Sequence, residues 1–288
     1  MKFSWIHQHR HGFEVAAMCR VLRVSRAGYY AWRGRPPAAQ TARQERLIAT
    51  IREVHAESRG SYGSPRIHAE LIERQISGCV NTVAKLMRQH GIRSKRRRRY
   101  RVCTTDSRHD RPVFENKLDR EFQADRPNRK WVCDITYVPT EEGFLYLAIV
   151  MDLFSRKIVG WAMADHLRAE LCLDALRMAI GRRRLAPGSG LLHHSDRGVQ
   201  YASGDYQHEL DAWGINCSMS RRGNCYDNAA MESFFSSLKT ELVHHKTYVT
   251  RRAASGSIFE WIEGWYNRRR RHSTLDYLSP EAYETSMN

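Results

Sequence analysis

Acidic residues are the scarcer charge in this chain. Asp and Glu number 31 against 47 Lys and Arg, a net charge of +16 over 288 residues. That balance points to a polyanionic partner. Cysteine is sparse and scattered: seven residues at 19, 79, 103, 133, 172, 217 and 225, odd in number and without a C-x-x-C pair. This argues against a disulfide framework or a Cys-rich zinc site and suits a reducing, cytoplasmic compartment. No apolar run approaches the ~20 residues of a transmembrane helix, and the opening MKFSWIHQHRHGF lacks the apolar core of a signal peptide. There is no G-x-x-x-x-G-K-[ST] loop, so nothing suggests nucleotide hydrolysis. With 42% hydrophobic and 10% aromatic residues the chain can still bury proper cores. Nucleic acid, not a membrane, is the expected partner.

Three carboxylates stand in awkward places. Asp134 interrupts Trp131 to Val138, a β-branched and aromatic run that reads as a mostly buried strand. An unpaired charge there costs several kcal/mol, so it needs a partner or a metal. Asp196 follows the short run Leu191 to His194 just before Gly198, a strand's carboxyl end, where α/β sheets place their sites. Glu232 falls about one turn into a helix that Asp227 or Asn228 can cap, with Met231, Phe234, Phe235, Leu238 and Leu242 as the apolar stripe. At 100° per residue Glu232 and Lys239 share the shoulder of that stripe, roughly 10 Å apart along the axis. Three converging carboxylates with no fixed cation among them repel one another, which makes a divalent ion their natural partner, and hard oxygen donors suit Mg2+ or Mn2+.

Acidic residues occupy about one position in nine, so the 35-residue gap between Asp196 and Glu232 carries little by itself. The order strand, strand end, helix shoulder carries more. WVCDITYVP, LLHHSDRGVQY, SMSRRGNCYDNAAMESFFSSLKTEL and WIEGWYNRRRRHSTLDYLSPEAYE resemble the catalytic frame of bacterial insertion-sequence transposases of the IS-three group. The resemblance implies an RNase H-like fold with its Asp, Asp, Glu triad on Asp134, Asp196 and Glu232. Its basic residue seven beyond the glutamate falls on Lys239. It also implies excision through a circular intermediate and a partner from an upstream reading frame that carries the reader of element ends, which this chain itself is then expected to lack. The His/Cys zinc module of retroviral integrases has no counterpart here.

The expected architecture is α/β, an RNase H-like mixed-sheet catalytic domain preceded by small all-α helix-turn-helix units. Residues 1–40 read as a helical, helix-turn-helix-like segment in which Ser25 caps the second helix; a plain two-helix packing unit is the alternative. Residues 41–95 read as a helix-turn-helix DNA-binding unit, with Pro65 opening one helix and Asn81 capping another. Thr82, Lys85 and Arg88 lie on that last helix's outer face. Residues 96–121 form a basic linker. Seven of the nine residues from Arg93 to Arg101 are basic, Arg96, Arg97, Arg98 and Arg99 among them, a run expected to track a phosphate backbone. Residues 122–288 form the catalytic domain with C-terminal helices. Strand order β-β-β-α-β-α-β-α is expected, followed by a helix striped with Ile258, Phe259, Ile262, Trp265 and Tyr266.

The function this implies is metal-dependent DNA strand cleavage and strand transfer, with two ions clamping the scissile phosphate. Lys239, Arg221 and Arg222 are expected to hold DNA phosphates beside the site. The partners are double-stranded DNA, both element ends and target, the upstream-frame product, and further copies of the chain on DNA. A nuclease without strand transfer and a non-catalytic DNA-binding regulator are the rival readings. Asp152 sits in a tight turn and reads as structural. Arg268 to Arg271 either bind DNA or solvate a helix end.

Overall fold

The structure is a computed structural model that describes residues 1–34, 39–95, 112–221 and 225–287, with the backbone alone at 39–41 and 225–226. Two compact units result, Met1–Glu53 and Val54–Asn288. No helix among the described residues is long and apolar enough to cross a membrane.

The first unit holds α1 (Lys2–His9), α2 (Val15–Val21), α3 (Arg26–Gly34) and most of α4 (Ala39–Glu57). Ile6, Met18, Cys19 and Tyr29 form its small core. Ser25 Oγ accepts the Gly28 N–H at 2.9 Å and so starts α3 as expected. In the second unit, α5 (Ser64–Glu73) carries Pro65 in its first turn, and α6 (Val80–Gln89) follows. The cap of α6 is Cys79, not Asn81: the backbone is extended at Cys79 and already helical at Val80.

The sheet contains β1 (Lys130–Thr140), β2 (Gly143–Asp152), β3 (Ile158–Ala164), β4 (Leu192–Ser195) and β5 (Asn216–Met219), in the order β3-β2-β1-β4-β5. The first three strands are antiparallel neighbours, while β4 and β5 run parallel to β1. α7 (Ala169–Arg183) and α8 (Gly204–Ala212) supply the crossovers that parallel strands require. Their apolar faces pack on Trp131, Cys133, Ile135, Ala148 and Val150 to make the main core. Gly160 lets α7 lie against β3. A Cβ at that position would meet the Ala175 carbonyl oxygen at 2.1 Å and Ala179 Cβ at 2.8 Å. Gly160→Ala is therefore expected to destabilise the protein by about 1–3 kcal/mol, read as a lower urea midpoint. An unchanged midpoint would mean that α7 is free to shift outward.

The glutamate helix, α9 (Ala229–Glu241), packs against β1 and buries Met231, Phe234, Phe235 and Leu238. α10 (Arg251–Phe259) runs into a π-helical turn at Glu260–Tyr266. That turn winds wider than an α-helix, so the buried set becomes Ile258, Trp261, Ile262, Trp265 and Tyr266. Phe259, expected in the stripe, is instead half exposed beside Trp161. α11 (Pro280–Ser286) closes the described chain, capped by Ser279.

Candidate active site

Strand register brings the two aspartates together. Val132 of β1 lies opposite His194 of β4. Continued by two residues, the parallel register sets Asp134 beside Asp196, which lies one residue past the end of β4. Since side chains alternate with period two, both leave the sheet on the same side as their paired neighbours. Asp134 Oδ1 accepts the Ile135 N–H at 2.8 Å, and Asp196 Oδ1 accepts the Gly198 N–H at 2.9 Å. That second bond explains the glycine, because a Cβ at Gly198 would press on Asp196 Oδ1 and Gln200 Oε1, both at 3.0 Å. Glu232, the fourth residue of α9, is exposed.

Asp134 carries the electrostatic record of this convergence. Burial pushes its carboxyl well above the usual carboxylate range, Asp196 pushes it further, and Glu232 adds to the effect. The Ile135 N–H and Lys239 pull the other way. Lys239 is itself lowered by burial, with Asp134 partly offsetting that loss, and its Nζ lies 5.5 Å from the centre of the Tyr137 ring. A cation therefore does stand among the carboxylates. Lys239 acts on Asp134 across the helix–strand interface.

Among the described residues no group of three or more His, Cys, Asp or Glu side chains is gathered tightly enough to hold a metal ion as placed. The donor chemistry nevertheless fits one. Asp134 is disfavoured as an anion by burial and by two neighbouring carboxylates, and a divalent ion relieves both penalties.

The remaining candidates separate by their surroundings. Arg221 is engaged by Asp119 and by Asp227, the latter at 3.3 Å from Nε. Lys85 and Arg88 are exposed on α6 and Thr82 is half-buried there. Arg222 and Arg96 to Arg99 lie outside the described residues. Asp152 is fully buried and accepts the N–H groups of Asn128 and Phe154 at 2.8 and 3.1 Å, which is a turn-holding role. His194 is satisfied on both ring nitrogens, by Ser218 Oγ at 2.9 Å and Ser220 Oγ at 3.0 Å.

Two residues read from the sequence as helix caps do something else. Asn228 stands at the N-cap position of α9, but its Nδ2 donates to the Cys133 carbonyl at 3.2 Å, and no side-chain cap bond forms. Asp227 is fully buried and accepts from Asn116 Nδ2 at 2.9 Å, Arg120 Nε at 3.1 Å and the Arg221 N–H at 2.9 Å. Burial alone would raise its carboxyl; the bonds from Arg221 and Arg120 hold it below the ordinary value. The pair thus pins the start of the glutamate helix to the residue preceding Asp134 and to the segment around residue 116. The sequence signal was the polarity of two adjacent residues before an apolar helix, which local rules assign to capping.

Buried histidines set the acid limit of the fold. Burial and the neighbouring His194 push His193 down to about 3, and burial with Arg270, Arg156 and Arg66 pushes His272 well below its ordinary value. Between an unfolded value near 6.5 and the folded value, the unfolded chain binds a proton that the folded chain refuses. Stability is thus fully present above about pH 6.5 and falls on acidification by about 1.4 kcal/mol per pH unit for each such histidine. Urea unfolding between pH 7 and pH 5 measures the slope. A flat profile would mean that these rings accept protons while folded.

Comparison with known proteins extends the geometry to the whole chain. Residues 124–225 and residues 213–280 each match an integrase core domain family, and residues 42–100 match a family of HTH-like domains. The chain is 43% identical over 286 residues to transposase InsF for insertion sequence IS3A of Escherichia coli K12, covering 99% of this chain and 98% of that protein. It is 44% identical over 266 residues to an uncharacterized 31 kDa protein of insertion element IS600 from Shigella sonnei, covering 92% and 97%. The HTLV-2 integrase catalytic core domain, solved in complex with magnesium, aligns at 15% identity with a TM-score of 0.42, over 56% of this chain and 99% of that one. The mixed five-stranded sheet, the integrase core matches and identity running end to end together place the chain in the insertion-sequence transposase family, as a DNA transposase with an RNase H-like α/β core and helix-turn-helix-like helices before it.

Proposed function

We propose that Asp134, Asp196 and Glu232 are the catalytic carboxylates of DNA strand cleavage and strand transfer, and that together they hold Mg2+ or Mn2+, two ions per site. The observation carrying this reading is that the β1–β4 register sets Asp134 beside Asp196, with the charges of Asp196, from a strand end, and Glu232, from a helix, both raising its carboxyl. When bound, such ions supply Lewis-acid stabilisation of the attacking and leaving oxygens of the phosphodiester. The protein's part is positional. Parallel register holds the aspartates side by side, and the Asn228 contact with the Cys133 carbonyl holds the start of the glutamate helix beside them. Lys239 is the cation placed to draw a phosphate toward Asp134, with its Nζ 5.5 Å from the centre of the Tyr137 ring. The same in-line displacement then serves with water as the nucleophile in cleavage and with a DNA 3′-hydroxyl in joining.

Arg96 to Arg99 are read as a phosphate-tracking run, and Thr82, Lys85 and Arg88 as a DNA-facing surface of α6. Arg221 joins them only by giving up Asp119 and Asp227. The upstream-frame product and further copies of the chain are the protein partners in this reading, and the cytoplasm is the compartment. Incubating the chain with Mg2+ and duplexes ending in candidate element termini tests the chemistry. Joined product supports strand transfer, whereas nicks without joining favour a nuclease.

Lys239→Ala is expected to lower the joining rate at saturating DNA by about tenfold to a hundredfold, and Lys239→Arg to restore part of it, since a phosphate accepts either cation. A wild-type rate in the alanine variant would remove the lysine from the reaction.

A further inference from the structure

The family match to an HTH-like domain begins at residue 42, yet the helices before it, α1 to α3, have the build of a nucleic-acid reader. α2 (Val15–Val21) and α3 (Arg26–Gly34) are joined by four residues, Leu22 to Ser25. Arg23 takes a left-handed φ of 52°, and the Val24 N–H returns to the Cys19 carbonyl at 3.0 Å. Leu22 and Val24 pack on the core of Ile6, Met18, Cys19 and Tyr29. Such a short, folded-back turn is the connection by which a first helix steadies a second for insertion into a groove.

The inner side of α3 is fixed by α1. Gly28 lets the Phe3 ring close on α3, since a Cβ there would meet Phe3 Cζ at 3.2 Å and Ser25 Oγ at 2.7 Å. The opposite side carries Arg26, Tyr30 and Arg33, all exposed. At 100° per residue these three fall within about 60° of one another, a single stripe along the helix. Residues 1–34 contain six Lys or Arg and one acidic residue, Glu14. Lys2 and Arg10 are turned onto backbone carbonyls, at Leu22 and His7. Among the described residues no ion pair with a carboxylate is formed by Arg20, Arg23, Arg26 or Arg33.

Charge placement argues against a mere packing unit. α3 has Arg26 in its first turn and no acid there, the unfavourable end for a cation against the helix dipole. A sequence that breaks a local rule on an exposed face usually does so for a ligand. The acceptor atoms of base edges brought to that helix start meet the arginine's planar fork of donors. Neither a plain solvated helix nor an apolar docking face explains a stripe of two arginines flanking a tyrosine with no acid nearby.

We infer that residues 1–34 form a second duplex-DNA reading site, separate from the stretch at 42–100 that matches the HTH-like family, with α3 entering the major groove. Arg26 and Tyr30 near its start reach base edges, and Arg33 at its end holds a backbone phosphate. The choice of DNA as ligand rests on the reading of this chain as a strand-transfer enzyme; the geometry of the site does not.

Binding of the full chain to a randomised duplex pool and to single selected duplexes, across a salt series, tests this. Arg26→Ala is expected to weaken the preferred duplex by about tenfold to a hundredfold and to relax preference at the positions it contacts. Arg26→Lys keeps the charge and loses the planar fork, so it retains non-specific affinity but loses that preference. Arg33→Ala weakens all sequences alike and lowers the salt slope by about one. Wild-type binding, preference and salt slope in all three variants would overturn the α3 site alone. If the unsubstituted chain binds no duplex, the strand-transfer reading falls and the α3 site with it. An unaltered DNA profile accompanied by altered self-association in the variants would assign the stripe to a second copy of the chain and overturn DNA reading.

Discussion

Asp134→Asn, Asp196→Asn and Glu232→Gln are each expected to abolish strand cleavage and joining, by about a thousandfold or more, while leaving duplex binding intact. Each substitution removes a charged oxygen donor with almost no change in volume, so loss of rate without loss of fold isolates the charge. Stability should move the opposite way at Asp134. Its carboxyl is raised by burial and by Asp196 and Glu232, so the folded chain keeps a proton that the unfolded chain has released. The cost of ionising Asp134 therefore accumulates as pH rises from about 3.8 toward the folded value, and asparagine has no such cost. The asparagine variant should unfold at a higher urea midpoint than wild type near neutral pH in buffer without divalent ions, with the gain vanishing in acid. A near-normal joining rate in any of the three variants would remove that residue from the catalytic set. A lower midpoint for Asp134→Asn would show that the carboxylate is compensated in the fold.

The second large effect concerns stability at the far end of the glutamate helix. Arg270 and Glu241 are 5% and 6% exposed and pair at 2.6 Å, with Arg270 Nε also 2.9 Å from Oε1. Trp265 Nε1 donates to the same carboxylate at 3.3 Å, and Arg270 reaches Ser237 Oγ at 3.2 Å. Removing one member leaves an uncompensated buried charge, so Arg270→Met is expected to cost about 3–5 kcal/mol, measured by denaturant unfolding. Replacing both members, Arg270→Met with Glu241→Met, should recover most of that loss, because the desolvation penalty disappears with the charges. A single-variant cost below about 1 kcal/mol would mean that water enters the site and the pair behaves as a surface one. The joining rate should fall with Arg270→Met as well, because α9 carries both this pair and Glu232.

Much of the frame of the candidate site was legible in the residues alone. Strand propensity around Asp134, the turn-former after Asp196 and the apolar stripe beneath Glu232 are local signals with local causes. They placed β1, the end of β4 and α9 correctly. The tight turn at Asp152 and the cap at Ser25 followed in the same way. The misplaced details share one cause. Asn81, Asn228 and Phe259 were assigned by rules for an isolated helix. A cap two residues earlier, a strand carbonyl and a π turn decided their fates instead.

The sequence by itself determined the family, the α/β order and which three carboxylates to examine, because motif spacing and hydrophobic period are written into neighbouring residues. It could not decide among cations. Arg268 to Arg271 look alike in the chain, yet Arg270 and Arg271 are buried in ion pairs, while Arg268 and Arg269 are exposed. Arg271 takes Glu70 as its partner at 2.7 Å from 201 residues away. Lys239 was expected to meet a phosphate, but its action on Asp134 arose only once α9 packed on β1. A charge's role depends on the burial and the partner it meets after folding, and both are properties of tertiary contact, which no spacing rule encodes.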